Sequence, residues 1–401
     1  MIRKTSIYII TFLALINTSC IAQQVNDVKQ AFNHASKQTE TLLKEVEKAK
    51  SSAKPEIVSP RTIENGQLKL VASKDWTSGF FPGVLWYLYE YDHNAKWLTA
   101  AKQYSAAIEK EKLNGTTHDM GFKIYCSIGN GYRLTNDPSY REVLITAAKT
   151  LSTRFNPKTG VILSWDHSRD KWVNPVIIDN MMNLELLFEA TKLTGDSSFY
   201  KIAVSHANTT MKNHFRADYS SYHVIDYDPN TGVVLKKNTH QGYSHESAWA
   251  RGQAWAVYGY TMCYRYTKNP AYLNQAENVA KFILNHPNLP SDLVPYYDFN
   301  APGIPNEPRD ASAAAVISSA LYELANYSKE GKNYRNKADQ MLQSLASKYI
   351  APIGSAFGFI LLHSTGSKPS NSEVDVPLSY ADYYYLEALL RSKNPIKPLK
   401  N

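Results

Sequence analysis

The sequence has few cysteines and lacks the short motifs that bind metals or phosphates. Its 401 residues include three cysteines, of which Cys126 and Cys263 lie too far apart to suggest a disulfide framework or a zinc site. We expect both to be buried thiols. No group of His, Cys and Asp has metal-ligand spacing, and there is no glycine-rich phosphate loop and no serine nucleophile elbow. The sequence therefore predicts neither a metal site nor a bound cofactor.

Long runs of one charge are also absent, as are hydrophobic runs long enough to span a membrane. The formal net charge is +8, but the basic residues are scattered along the chain, which argues against a nucleic-acid partner. A mildly basic surface suits an acidic polysaccharide fragment instead. The 28 Tyr, 13 Phe and 7 Trp are typical of aromatic-lined carbohydrate clefts, although tyrosine also fills helix interfaces.

The N-terminus resembles an export signal covering residues 1–22. Arg3 and Lys4 form a positive start, an apolar stretch follows, and small residues precede Ala22, after which we expect cleavage. The apolar stretch is too short to cross a bilayer. We therefore predict a soluble periplasmic protein. Lipid attachment at Cys20 is the alternative, weakened because Asn17 stands where a lipobox usually has leucine.

A helical repeat recurs through the rest of the chain. An Asp or Asn cap is followed by an aromatic residue and then by small or apolar residues four and eight positions later. The clearest copies begin at Asp137, Asp196 and Asn269, with weaker copies at Asn94 and Asn333. More apolar helices lie between these amphipathic ones, at 79–91, 119–134, 179–193, 248–266, 311–328 and 381–392.

Six apolar helices alternating with about as many amphipathic ones predict an all-α fold, an (α/α)6 toroid or barrel. An open helical solenoid is the structural alternative. We expect one catalytic domain over residues 72–401, preceded by an N-terminal helix and extended arm over residues 23–71. Residues 54–71 form the extended part of that arm. A small β excursion is expected at 221–235, with its turn at 228–232.

In such a ring the functional residues should lie where the inner helices begin. The segment His245–Trp255 places an acid, two indoles, a guanidinium and an amide within about three helical turns, which suits a sugar carrying a carboxylate. A helix start with ordinary core tryptophans would explain this segment equally well, and His118 and His223 could equally be loop histidines satisfied by hydrogen bonds. Asp119 and Asp179 open two other inner helices. Helix capping could explain either acid alone, but Asp179 follows apolar residues, and burial without a cation would raise the pKa of its carboxyl and make it a candidate general acid.

At these residues the chain resembles the unsaturated glucuronyl hydrolases of glycoside hydrolase family 88. The matching blocks follow one another in family order and span nearly the whole mature chain. They are Asp75–Phe80, His118–Phe122, Ile178–Asn183, Gln241–Tyr243, Ser247–Trp255, Glu373–Pro377 and Tyr380–Tyr384.

The resemblance implies an (α/α)6 barrel that acts after a polysaccharide lyase. The enzyme would release the 4,5-unsaturated uronic acid from the non-reducing end of glycosaminoglycan-type oligosaccharides by hydrating the C4=C5 enol ether, without a metal or cofactor. Asp179 would donate a proton to C4 and help to activate water, and Asp119 would hold sugar hydroxyls and stabilise charge at the ring oxygen. Stacking surfaces would come from Trp76, Phe80, Trp249 and Trp255, and polar contacts from His118, His223, Gln241 and Arg251.

Some family members that accept sulfated substrates carry a Ser-x-x-Ser-x-Lys motif near the C-terminus. Here Ser364 and Ser367 have the serine spacing, but Lys368 lies one position early, so we expect sulfate binding at these residues or, alternatively, a polar surface loop. The competing functions are an unsaturated rhamnogalacturonyl hydrolase acting on pectin fragments and a non-catalytic periplasmic glycan-binding protein. The parent polysaccharide, its linkage and sulfation, and the oligomeric state are not encoded in any recognisable pattern.

Overall fold

The computed structural model describes residues 5–51, 54 and 56–393, with side chains from residue 28 onward. Arg3 and Lys4 of the expected export signal lie outside the described residues, and the side chain of Cys20 lies outside them as well. The α-helices are α1 (Thr5–Lys50), α2 (Phe80–Asp92), α3 (Ala95–Ile108), α4 (Asn130–Thr135), α5 (Pro138–Ser152), α6 (Leu184–Thr194), α7 (Ser197–Asn213), α8 (Ala250–Thr267), α9 (Pro270–Asn285), α10 (Ala311–Leu324), α11 (Gly331–Lys348) and α12 (Ser379–Lys393).

The helices form two concentric rings. The inner ring consists of α2, α4, α6, α8, α10 and α12, and the outer ring of α1 and the odd-numbered helices that follow. A π-helix at Gly121–Gly129 leads into α4, and a 3-10 helix at Ile178–Asn183 leads into α6. Because α12 packs against α2, the ring closes. This confirms the (α/α)6 barrel and excludes the open solenoid; α1 serves as the sixth outer helix.

Short polar side chains start α3, α5, α7 and α9, as the repeat predicted. The weaker copy at Asn333 is wrong, because α11 begins at Gly331 after Glu330, whose side chain makes no cap. The carboxylates of Asp137 and Asp196 and the amide oxygen of Asn269 accept backbone N–H bonds from Ser139, Ser198 and Ala271 at 2.9, 2.8 and 3.0 Å. The aromatic residue of each repeat is wholly or largely buried against the inner ring, as for Tyr272 and Phe199. Capping and burial of one face together fix where each outer helix begins and which side it turns inward.

In the part of the chain that the structure describes, three small antiparallel sheets lie outside the helical rings. The strands are β1 (Ile57–Glu64), β2 (Gln67–Ala72), β3 (Phe155–Asn156), β4 (Val161–Ile162), β5 (Pro175–Ile177), β6 (Val224–Tyr227) and β7 (Val234–Asn238). The hairpin expected at 221–235 is confirmed as β6–β7, and β5 joins it as a third strand. The segment 54–71, expected to be an extended arm, instead folds back on itself as the β1–β2 hairpin, because Asn65 and Gly66 supply the two left-handed residues of a tight turn.

The two cysteines whose side chains are described, Cys126 and Cys263, are free and buried, as predicted. Within residues 5–51, 54 and 56–393, no helix combines the length and the apolar character needed to cross a bilayer.

Candidate active site

A cavity of about 290 Å³ lies where the inner helices begin. Its walls include side chains from the start of the first, second, third, fourth and sixth inner segments, together with residues of the hairpin β1–β2 and of the loop before α12. Its lining residues include Arg61, Trp76, His118, Asp119, Phe122, Trp165, His167, Asp179, His240, Gln241, Arg251, Ser367, Glu373 and Tyr380.

Asp179 lies at the base of this cavity, in the first turn of the 3-10 helix after β5. The apolar residues that precede it form strand β5. The side chain of Asp179 is only 11% exposed. Burial raises the pKa of this carboxyl to about 7, against the opposing effect of Arg251, and Asp119 raises it further. Oδ2 has no hydrogen-bond partner among the described residues. The carboxyl is therefore protonated for a substantial fraction of the time near neutral pH, and it lines the cavity in which a ligand would bind.

Asp119 lines the same cavity and is held in place by its own turn. The hydroxyl of Thr117 donates to Oδ2 at 2.5 Å, and Nε2 of His118 lies 3.2 Å from Oδ1. The turn is fixed against the Asp179 segment, because the backbone N–H of Phe122 donates to the side-chain oxygen of Asn183 at 3.1 Å. Two carboxyl groups from neighbouring inner helices thus face one space, one with a raised pKa.

Close packing of these two segments requires glycine at position 121. A Cβ atom built on Gly121 would lie 2.7 Å from the Cα of Asn183, which is closer than real side chains come. Any larger residue would separate the turn that carries Asp119 from the turn that carries Asp179.

His223 stands beside Asp179 with its tautomer set by the backbone. Its Nδ1 accepts the N–H groups of His240 and Gln241, both at 3.2 Å. The proton of the neutral ring is therefore on Nε2, which lies 3.7 Å from Oδ2 of Asp179. Burial lowers the pKa of His223 well below its ordinary value, so the ring is neutral and leaves Asp179 without a cationic partner. His223 supports the acid from behind and is not among the cavity-lining residues.

Burial also lowers the pKa of His118, although Asp119 opposes this effect. Neither ring nitrogen of His118 has a partner of hydrogen-bond geometry within the described chain, and the side chain lines the cavity. A neutral imidazole that lines the cavity can exchange hydrogen bonds with sugar hydroxyls, and the expected contact of His118 with the substrate stays a prediction.

Arg251 reaches the cavity but is largely engaged by the protein. Its Nη1 donates to Asp310 at 2.7 Å and to the carbonyl of Thr365 at 2.5 Å, and its Nη2 donates to the carbonyl of Gly366 at 2.7 Å. Gln241 donates to the same Gly366 carbonyl at 2.9 Å. These bonds use both N–H groups of Nη1 and one of Nη2, and Nε has no partner in the described part. The expected contact of Arg251 with a substrate carboxylate stays a prediction.

The aromatic residues divide into a lining layer and a supporting layer. Trp76 lines the cavity as expected, with its ring 5.0 Å from that of Tyr380. Phe80, Trp249 and Trp255 do not line it, which corrects their assignment as stacking surfaces. Phe80 is buried behind Trp76 at the head of α2.

The other two supporting rings pack against polar site residues. Trp249 is 2% exposed, and its ring lies 4.4 Å from that of His223. Trp255 is fully buried in the first turns of α8, with its indole N–H close enough to lower the pKa of Asp179. The helical spacing that suggested a shared binding face turns these indoles into the barrel wall instead.

The loop before α12, residues 363–376, is called the serine-rich loop. It contributes a different set of serines from the one expected. Ser367 lines the cavity, but Ser364 is fully buried and paired through its backbone with Val376, and Lys368 is exposed and absent from the lining. The expected Ser364, Ser367 and Lys368 grouping is therefore corrected to Ser367 with Ser370 and Ser372, which line the cavity. The short ladder of Ser367 with Ser372 turns the loop inward.

Several lining residues were missed. Phe122, Glu373 and Tyr380 stood in the blocks that carried the family resemblance but had no role assigned to them. Trp165, His167 and His240 lie in loops around the β5–β6–β7 sheet, where no helical pattern points to a site. Arg61 belongs to the segment expected to be an extended arm, and only the hairpin brings it to the cavity.

Comparison with known proteins supports a single family. The model of Glycosyl Hydrolase Family 88 matches residues 48–388. An unsaturated glucuronyl hydrolase of Formosa agariphila is 55% identical over 330 residues, covering 81% of this chain and 82% of its own.

Two solved structures show the same fold. An unsaturated glucuronyl hydrolase described as specific for heparin has a TM-score of 0.87 at 46% identity and covers 94% of this chain and 100% of its own. A mutant of the Streptococcus agalactiae unsaturated glucuronyl hydrolase, complexed with dGlcA-GalNAc6S, has a TM-score of 0.76 at 31% identity, covering 92% of each chain.

Proposed function

The chain belongs to glycosyl hydrolase family 88, and from this we propose that it releases a 4,5-unsaturated uronic acid from the non-reducing end of glycosaminoglycan-type oligosaccharides. The reaction is hydration of the C4=C5 bond of the enol ether. The resulting hemiketal opens, and the remaining sugar leaves. One observation carries the assignment: a buried carboxyl whose pKa is raised to about 7 and a second carboxyl line one aromatic-walled cavity.

Asp179 is the proton donor in this reaction. An enol ether is protonated at C4 in the first step, which requires an acid that still holds its proton near neutral pH. Desolvation keeps a fraction of Asp179 protonated, and the residue lines the cavity that would hold the alkene. After the proton has been transferred, the carboxylate can accept a proton from the water that adds at C5.

Asp119 holds the sugar and stabilises positive charge. Its two oxygens are oriented by Thr117 and His118, so they can accept hydroxyl protons and face the oxocarbenium character that develops at the ring oxygen. Trp76, Phe122 and Tyr380 provide an apolar surface for the sugar ring. Gln241 and the neutral imidazole of His118 also line the cavity and can supply hydrogen bonds to the sugar.

The sugar that leaves would extend toward Trp165, His167 and the serines at positions 367, 370 and 372. Hydroxyl and imidazole groups can donate to a sulfate ester or to plain hydroxyls, so this region supports acceptance of sulfated substrates. We place the enzyme outside the cytoplasm, exported by residues 1–22, because that segment has the composition of a signal peptide.

The test is loss of the ultraviolet absorbance of the unsaturated uronate. Purified protein would be mixed with unsaturated disaccharides prepared by lyase digestion of heparin, chondroitin sulfate and hyaluronan. We expect at least one class to be bleached. Asp179→Asn should bind that disaccharide, but its turnover should be about a thousandfold lower than that of the wild type, or lower still.

Two controls make the result interpretable. Asp382→Asn alters another buried carboxyl that lies away from the cavity and should keep substantial turnover. A wild-type protein that binds the disaccharides without bleaching any of them would reject the proposal in favour of a glycan-binding role.

A further inference from the structure

Arg61 is a cavity-lining arginine supplied by the hairpin β1–β2 rather than by the barrel. Its guanidinium forks onto Glu373, with Nε 2.5 Å from Oε1 and Nη2 2.9 Å from Oε2. Its Nη1 donates to Oδ2 of Asp75 at 2.8 Å. The side chain is 19% exposed and Glu373 only 5%, so this is a largely desolvated network, in which charge pairing is stronger than at an open surface.

The two partners of Arg61 belong to opposite walls of the cavity. Asp75 uses its other oxygen to hold the turn that carries Trp76, accepting from the N–H and hydroxyl of Thr77 at 2.9 and 2.6 Å. Glu373 closes the serine-rich loop, where its carbonyl accepts the N–H of Gly366 at 2.7 Å. One guanidinium therefore joins the Trp76 turn to the serine-rich loop across the rim.

The serine-rich loop needs such a restraint. His363, Asn371, Glu373 and Asp375 all have positive φ, at 60°, 47°, 54° and 56°, a conformation that costs free energy for residues other than glycine and persists only when the surroundings enforce it. The barrel side of the loop is held by Arg251 at the carbonyls of Thr365 and Gly366. Glu373 lies across the loop from Gly366, and its side chain is held by Arg61.

The charges around the cavity give this network a second role. Asp119, Asp179 and Glu373 are acidic lining residues, and the cation Arg251 is already paired with Asp310. Without Arg61, a substrate carboxylate would meet the uncompensated charge of Glu373 at the rim, with Asp75 behind it. Like charges in a partly desolvated site repel each other, and this repulsion weakens substrate binding several-fold or more.

We infer that Arg61 is a positioning and charge-compensating residue of the substrate site: it clamps the serine-rich loop to the Trp76 turn and makes the rim acceptable to an anionic sugar. The inference rests on the proposed function, because it requires a substrate that carries a carboxylate. It places part of the specificity for uronates in a hairpin outside the barrel.

The test compares Arg61→Met with the matched variant Arg133→Met. Arg133 forms a similar fork with Glu90, at 2.7 and 2.5 Å, but at the other end of the barrel. With an unsaturated disaccharide that the wild type bleaches, we expect Arg61→Met to raise KM about tenfold or more and to leave kcat within about threefold. Arg133→Met should change KM by less than about twofold.

Two further measurements separate charge compensation from general loosening. The ratio of the KM of Arg61→Met to that of the wild type should shrink as salt is raised from about 0.02 M to 0.5 M, because the added repulsion is screened. The double variant Arg61→Met, Glu373→Gln should have a KM much closer to the wild-type value than Arg61→Met has, because the unpaired carboxylate is gone.

Three results would overturn the inference: an unchanged KM in Arg61→Met, a loss confined to kcat, or a raised KM that responds neither to salt nor to Glu373→Gln. Should Arg61→Met fail to fold, Glu373→Gln alone decides the matter. It makes the rim less negative and keeps an amide oxygen that can accept from Arg61, so its KM should equal or fall below the wild-type value, and a tenfold rise would reject the charge argument. A wild type that bleaches no unsaturated disaccharide would instead refute the proposed function itself.

Discussion

At the scale of single residues, a raised pKa becomes useful only where the carboxyl can reach a ligand. Asp179 and Asp382 are both buried, and burial raises the pKa of each to about 7. The oxygens of Asp382 accept the backbone N–H groups of Ile360 and Leu361 at 2.9 and 2.8 Å, whereas Asp179 lines the cavity and its buried Oδ2 has no hydrogen-bond partner in the described chain. The same desolvation therefore accompanies a structural role at Asp382, which binds backbone N–H groups, and a candidate general acid at Asp179.

The pH dependence of turnover should report Asp179. Its protonated form is the active form of a general acid, so kcat should be constant at lower pH and fall about tenfold per pH unit above an apparent pKa near 7. A bound uronate carboxylate adds a second negative charge near Asp179, which would raise the apparent pKa and shift the fall in kcat to higher pH.

The measurement is kcat from about pH 5 to pH 9 with saturating disaccharide. A rate that instead rises across neutral pH would mean that the ionised form of Asp179 is required, which would contradict its role as proton donor.

At the scale of elements, helix starts do two kinds of work in this barrel. The outer helices begin at exposed caps such as Asp196, which satisfy local N–H groups. The inner helix α10 begins at Asp310, which caps Ser312 at 3.1 Å and also pairs with the buried Arg251 of α8 at 2.7 Å. The cap of α10 therefore also joins two neighbouring inner helices beside the site, whereas the outer caps are local.

This difference predicts unequal losses of stability. Asp310→Ala leaves the guanidinium of Arg251 buried without its carboxylate, which should lower the free energy of unfolding by about 3–5 kcal/mol. Asp196→Ala removes an exposed cap and should cost about 1 kcal/mol.

Urea unfolding followed by circular dichroism at neutral pH would compare the two variants, with Asp310→Asn as a third that keeps a capping oxygen. Equal losses for Asp310→Ala and Asp196→Ala would mean that the Arg251 pair contributes nothing beyond its cap.

At the scale of the whole molecule, closing the ring separates two ends with different chemistry. The starts of the inner helices surround the proposed active site, and their C-terminal halves surround a second cavity of about 340 Å³ lined by tyrosines and mutually paired arginines and glutamates. Arg265, for example, pairs with Glu185 at 2.6 Å and with Glu323 at 3.3 Å. We interpret that end as a buried ionic network within the barrel, because its charges are paired with one another.

The seam between α2 and its inner-ring neighbours should be sensitive to added volume. A Cβ atom on Gly83 would lie 2.4 Å from the ring of Tyr383 and 2.6 Å from the carbonyl oxygen of Cys126, so Gly83→Ala should destabilise the protein by about 1–3 kcal/mol.

Gly115→Ala is the matched control, since its nearest atom would be 3.8 Å away, and it should change stability by about 0.5 kcal/mol or less. Thermal unfolding of both variants checks this prediction. A Gly83→Ala protein as stable as the control would show that the closure tolerates more volume than the packing suggests.

Much of the architecture was readable from local patterns. Caps at Asp137, Asp196 and Asn269 and the apolar stripes that follow them depend on neighbours three or four residues away, so the alternation of inner and outer helices, the β6–β7 hairpin and the family blocks all followed from the chain. Asp119 and Asp179 could be singled out in the same way, because each opens an inner helix and each stands in a family block.

Which side chains face the cavity depended on contacts between distant segments. Trp249 and Trp255 have the spacing of a binding face, yet ring closure turned them into the wall. Arg61 carried no local signal and reached the rim because the β1–β2 hairpin folds over it to meet Glu373, 312 residues away. Local rules set which helices form and where they begin. The assignment of a side chain to wall or cavity depends on free energies of burial and pairing that exist only once the ring is closed.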